Sequence, residues 1–213
     1  MHNGTVADFA KIRSDMTSLM AYDAYLNIRG TTDTEHLAAL YVTFLTSYGS
    51  EASWQKEYTL KAMKSALVRT VTCVMEMQRK SLGSKATPNG LNLCATDGRK
   101  LVACRFRNHV SEQPASLYWS DDAGTTLNRK FSNGGGNETG ALYSSGRTGK
   151  HVIVASEPTT KVDREWTLIN KNHLIIVDQK GAAHHERLVY DAGLNAGDPG
   201  VDADGDVNVD AVV

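Results

Sequence analysis

Apolar residues recur at helical spacing over the first third of the chain. Between residues 6 and 28, Val6, Phe9, Ile12, Met16, Leu19 and Met20 return every three or four positions, which predicts a helix in one or two pieces. Gly30-Thr31-Thr32 interrupts the pattern. Asp33 is then a good N-cap for a second stripe of Leu37, Leu40, Tyr41, Phe44, Leu45 and Tyr48, which Gly49 should close. A longer stripe occupies residues 57–81, with Leu60, Met63, Leu67, Val71, Val74 and Met75 on one face and Gly83 behind it.

After residue 84 the period shortens. The runs Leu91–Thr96 and Leu101–Phe106 flank Asp97-Gly98, a strong hairpin signal. Ser116–Trp119, His151–Ala155, Trp166–Ile169 and His173–Val177 are further short, β-branched or aromatic runs that predict strands. Residues 132–149 are rich in Gly and Ser and read as a flexible loop. From Gly193 onward acidic residues are unrelieved by basic ones, and residues 193–213 read as a disordered acidic tail. Helices first and strands afterwards predict the α+β class, with residues 1–192 as one domain.

Composition narrows the function classes. With 213 residues, 41% of them hydrophobic, the chain can bury one real core. Its 23 basic and 24 acidic residues nearly cancel, so no nucleic-acid partner is expected. No run approaches the ~20 apolar residues of a membrane span, and the N-terminus lacks the pattern of a secretory signal. Three cysteines without a CxxC spacing fit a reducing compartment, and the cytosol is expected.

Several tempting motifs carry no chemistry. Asp202-Ala203-Asp204-Gly205-Asp206 has its glycine too early for a calcium loop and no closing glutamate. The glycines of 134–149 lack the Gly-Lys-Ser/Thr of a phosphate-binding loop. Cys73 falls in a helix and Cys94 and Cys104 in strands, where free cysteine behaves as a small hydrophobe. His184-His185 reads as a surface pair near a strand edge. No metal or cofactor is expected.

One constellation remains. Asn3 offers a side-chain amide donor, and the Gly4 N–H can approach a ligand closely because no Cβ intervenes. Such a pair is what an oxyanion hole requires. Asp33 could pair with an ammonium group. Taken alone, Asn3-Gly4 is a turn signal and Asp33 is a helix cap.

The order of the segments adds to this. His2-Asn3-Gly4, Thr32-Asp33-Thr34-Glu35, Leu91-Asn92-Leu93 through Thr96-Asp97-Gly98, Arg105-Phe106, Ala115–Tyr118, and Val154–Pro158 followed by Trp166 together resemble the class II glutamine amidotransferases. The later pieces look most like the fungal Dug-type amidotransferase of glutathione breakdown, and a bacterial amidotransferase of ergothioneine synthesis shares some of them. The resemblance implies the four-layer αββα sandwich of N-terminal-nucleophile hydrolases. It implies that Asn3 and Gly4 form the oxyanion hole and that Asp33 binds the α-amino group of glutamine or glutathione. It gives no role to Ser156 or Glu157. A Dug-type enzyme also implies a metallopeptidase-like partner subunit.

This sequence departs from the family at its start. The family's nucleophile is an N-terminal cysteine whose own α-amine serves as base, and it lies upstream of the His-Asn-Gly motif. Here that motif is at the terminus, so a domain incomplete at its N-terminus is expected, unstable or insoluble alone. The function expected is the C-terminal part of a γ-glutamyl amidohydrolase. The alternative is a non-catalytic remnant that binds a glutamyl ligand or a partner subunit.

Overall fold

The structure, a computed structural model, describes residues 1–123 and 152–190. The chain opens with strand β1 (His2–Thr5), followed by helices α1 (Phe9–Ser18), α2 (Tyr22–Leu26), α3 (Asp33–Leu45) and α4 (Leu60–Leu82). Strands β2 (Gly90–Thr96), β3 (Leu101–Arg105), β4 (Tyr118–Ser120), β5 (Ile153–Ala155), β6 (Thr167–Leu168), β7 (His173–Val177) and β8 (Ala183–Arg187) come next. The predicted loop at 132–149 and the tail at 193–213 lie outside the described residues.

The strands form two sheets, one ordered β1-β2-β3-β7-β8 and the other β5-β4-β6, with antiparallel pairing throughout. Period-2 alternation along β3 and β7 divides the core in two. Val102, Cys104, Leu174 and Ile176 join Ile12, Leu40, Leu67 and Val71 in a cluster beneath the helices. Ala103, Ile175 and Val177 face the other way, against Leu117 and Ile169. The described residues therefore make three layers: helices, five-stranded sheet, three-stranded sheet. Burying each large apolar side chain contributes roughly 1.5–3 kcal/mol, so the doubly covered central strands carry much of the stability.

The helical stripes pack largely as their spacing predicts: Ile12 and Met16 on α1, Leu37, Leu40 and Phe44 on α3, and Met63, Leu67, Val71, Val74 and Met75 on α4 are buried. Leu19 and Tyr48, included in the stripes, are exposed. Gly83 ends α4 at φ 55°, as expected.

Three local expectations are corrected. Asn3-Gly4 is not a turn but the middle of β1, because pairing with β2 satisfies its backbone. Thr32, not Asp33, caps α3: its hydroxyl accepts from the Glu35 N–H, and Asp33 is the first helical residue. Gly49 does not close α3. The helix ends at Leu45, and Ser47 and Tyr48 make the left-handed reversal at φ 52° and 63°. His184 and His185 are exposed, in keeping with their reading as a surface pair, and lie inside β8, which ends the five-stranded sheet among the described residues and which the sequence pattern did not announce.

Candidate functional site

The site begins with the hydrogen bonding of β1. The Met1 ammonium donates to the Cys94 carbonyl at 2.7 Å and the Cys94 N–H returns a bond to the Met1 carbonyl at 2.9 Å. In an antiparallel ladder such bonded pairs alternate with non-bonded ones. Asn3, opposite Asn92, is thus in the bonded set, while His2 and Gly4 turn their backbone groups away from β2. Across the strand, the Leu91 N–H is engaged by the Phe106 carbonyl at 2.9 Å. The Gly4 N–H is directed at the free side of β1, where no further strand lies among the described residues.

Position 4 requires glycine. Its φ is 149°, and a Cβ there would sit 2.0 Å from the Gly90 carbonyl oxygen. Beyond β1, the chain is held by a buried amide pair. Asn89 Oδ1 accepts from the Ala7 N–H at 2.8 Å and from Gln78 Nε2 at 3.2 Å, while Asn89 Nδ2 donates to Gln78 Oε1.

Side chains alternate across β1. His2 faces the helices, with Nδ1 3.0 Å from the Thr34 hydroxyl. Burial pulls its pKa below the usual histidine value, against an opposing pull from Asp33. Asn3 faces the three-stranded sheet and donates from Nδ2 to Ser156 Oγ at 3.0 Å. Both Asn3 and Gly4 are exposed.

Thr32-Asp33-Thr34-Glu35 is a capping box. Glu35 Oε1 accepts from the backbone N–H groups of Arg29 and Gly30 at 3.1 and 3.0 Å, and its Oε2 accepts from the Thr32 hydroxyl at 3.1 Å. Those backbone donors hold the Glu35 carboxyl below its ordinary pKa. Asp33 is left free for another task. Its Oδ2 accepts from the Val6 N–H at 2.8 Å, which pins the exit of β1 to the start of α3. Among the described residues, Oδ1 has only a long, 3.5 Å contact from the Thr34 hydroxyl. The structure thus brings Asp33 beside the Asn3-Gly4 strand, but on the face that carries His2 and not the one that carries Asn3.

Residues that the sequence offered without roles gather on the Asn3 face. Asn92 Nδ2 donates to the carbonyls of Ala115 and Ser116 at 3.0 and 3.1 Å. Arg105, 6% exposed, spends its buried guanidinium on the carbonyls of Pro114, Ala115 and Ile169 at 2.9, 2.9 and 3.1 Å. Ser116 Oγ donates to Glu157 Oε1. The signal that could have found these residues was their presence in the matched segments. Their convergence is tertiary.

None of the three thiols is placed as a nucleophile. Burial pushes Cys104 up to about 12 and Cys73 to about 11, and it raises Cys94 as well. Thiolate, the attacking form, is correspondingly scarce at neutral pH. Cys94 lines a mainly apolar cavity of about 360 Å³ between α3 and the β1–β2 pair, together with Met1, His2, Leu37, Tyr41 and Leu93. That cavity lies on the helix side of β1, away from the Asn3 amide. Among the described residues no group of three or more His, Cys, Asp or Glu side chains stands close enough to hold a metal, and no helix is long and apolar enough to cross a membrane.

No family model matches the chain. It is 27% identical over 193 residues to the probable glutamine amidotransferase DUG3 of Saccharomyces cerevisiae, a match covering 87% of this chain and 51% of that protein. Its sequence is similar to that of a glutamine amidotransferase. The chain spans about half the length of that curated relative. Its fold is similar to that of a glutamine aminotransferase class-II domain protein from Silicibacter pomeroyi, with a TM-score of 0.59 and 19% identity over 88% of this chain and 65% of the other. The resemblance carried by the sequence motifs is thereby borne out, and the mixed, antiparallel architecture agrees with it.

Proposed function

We propose that residues 1–192 belong to a γ-glutamyl amide-hydrolysing domain of the four-layer αββα, N-terminal-nucleophile type, acting on glutamine or on glutathione. The observation that carries the reading is the outward-facing Gly4 N–H beside an exposed Asn3 carboxamide on a strand that ends its sheet among the described residues. Attack on a γ-amide places negative charge on one oxygen, and two preformed donors stabilise that charge better than water, which must reorient. Asp33 binds the α-ammonium through the carboxylate oxygen that Val6 does not occupy. Glutamine and glutathione share the γ-glutamyl head, so one pocket serves both. The reaction also needs a thiolate, which Cys73, Cys94 and Cys104 are not placed to supply. The residues described here hold the substrate and its developing oxyanion.

The likeness to DUG3, together with the Dug-type motifs, favours a place in glutathione breakdown beside a metallopeptidase-like subunit. Three free cysteines fit the reducing cytosol. The test is glutamate release from glutamine and from glutathione by the full-length protein, with Asn3→Ala and Asp33→Ala beside it. Asn3→Ala should lower kcat by about 10²–10³, and Asp33→Ala should weaken substrate binding. Equal binding of glutamate and glutathione with and without Asp33 would remove that residue from the site. No release from either substrate by the wild type would overturn the reading.

A further inference from the structure

We infer that Ser156 is a positioning residue for the Asn3 carboxamide, acting through Asn3 and not on substrate. The inference rests on the proposed role of Asn3 as an oxyanion donor. Among the described residues β1 ends its sheet and Asn3 is exposed, so nothing in its own strand fixes the plane of its amide. A donor that rotates freely must be ordered at the moment of reaction, which is the cost that preorganised sites avoid. Nδ2 carries two hydrogens. One is given to Ser156 Oγ at 3.0 Å, which sets the amide plane and leaves the second for a ligand.

Ser156 is itself held. It follows directly on β5, whose last residue, Ala155, pairs with Tyr118 of β4. Its neighbour Glu157 accepts from the Ser116 hydroxyl, and the Ser116 carbonyl accepts from Asn92, the register partner of Asn3. The contacts close a loop from Asn3 through Ser156, Glu157, Ser116 and Asn92 back to β1. Arg105 fixes its far side by gripping the carbonyls of Pro114 and Ala115. The second sheet thereby orients a donor carried by the first.

A simple tie between the sheets would show itself in stability. A positioning residue shows itself in turnover. In the full-length protein with glutamine and glutathione as substrates, Ser156→Ala should lower kcat about 10- to 100-fold, the scale expected for a misplaced catalytic group, and leave KM within about twofold. Ser156→Thr, which keeps the hydroxyl, should restore most of the rate. In an Asn3→Ala background, Ser156→Ala should cost nothing further. Should Ser156→Ala precipitate, Ser156→Cys serves in its place, because sulfur is a weaker acceptor of similar shape. Unchanged turnover in Ser156→Ala, with turnover lost in Asn3→Ala, would overturn the inference and leave the amidohydrolase reading standing. Additive losses in the double variant would overturn it equally. Failure of the wild type on both substrates would remove the reading and the inference together.

Discussion

Two polar corners meet β1, one on each face, and they are built differently. On the helix face the contacts are mostly local. Thr32 and Glu35 are three residues apart and cap each other, and Asp33 reaches back to Val6 over 27 residues. On the sheet face, Asn3 meets Ser156 across 153 residues and Ser116 meets Glu157 across 41. The helix corner has most of its acceptors occupied by backbone donors and serves to hold β1. The sheet corner leaves donors exposed. What differs is how much of each corner's hydrogen-bonding capacity folding consumes: the sheet corner leaves the donors proposed for the oxyanion, and the helix corner leaves one Asp33 oxygen, proposed for the ammonium.

The largest expected effect breaks both corners together. Gly4→Ala places a Cβ 2.0 Å from the Gly90 carbonyl oxygen at a φ of 149°. Detaching β1 from β2 should lower stability by several kcal/mol, about 3 or more in a denaturant titration. Retention of wild-type stability would mean that β1 does not pair as described.

Next comes Asn3→Ala, which isolates the sheet corner. Its side chain is exposed, so stability should change by about 0.5 kcal/mol or less while turnover falls by about 10²–10³. Parallel thermal melts and glutamate-release assays separate the two, and a loss confined to stability would reverse the contrast between the corners.

Thr32→Ala tests the helix corner alone. Loss of the cap should cost about 1 kcal/mol by denaturant titration, with kcat unaffected once the protein is folded. A comparable loss in kcat would show that the helix corner also orients the reacting groups.

The smallest effect is a sharpening by pH. Asp8, paired with Lys11 and bonded to the Thr87 N–H, has its pKa lowered to about 2 from 3.8, and Glu35 is lowered by its backbone donors. A carboxylate with a depressed folded pKa contributes stability that is fully present above its unfolded value and is lost as pH falls through the folded one. The contribution of these carboxylates should therefore be flat above about pH 5 and decline below about pH 4, with the Asp8 part persisting toward pH 2. Glu35→Gln should flatten the upper part of that decline in acid titrations followed by circular dichroism.

Much of the fold was legible residue by residue. The stripes of α3 and α4, the hairpin at Asp97-Gly98 and Gly83 as the end of α4 all appear where the pattern puts them. The misses share a cause. Asn3-Gly4 has the composition of a turn, and only its partner Leu91–Asn92, far along the chain, makes it a strand. Within the capping box the Thr hydroxyl and the Asp carboxylate compete for the same N-terminal donors, and the choice turned on the Val6 N–H offered to Asp33. In β8, Ala183-His184-His185-Glu186-Arg187 lacks an apolar alternation because the strand covers an edge, and its pairing with β7 was invisible locally.

Taken by itself, the sequence determined the α+β class, the helix faces, the placing of the cysteines within a helix and two strands, and the candidate donors Asn3 and Gly4 with the candidate acceptor Asp33, because periodicity and residue chemistry are local properties. Only the tertiary structure decided which way those groups point. The ladder with β2 turned the Gly4 N–H outward, the pleat sent His2 and Asn3 to opposite faces, and the second sheet brought Ser156 to the Asn3 amide. Direction depends on register, and register depends on partners that lie far away along the chain.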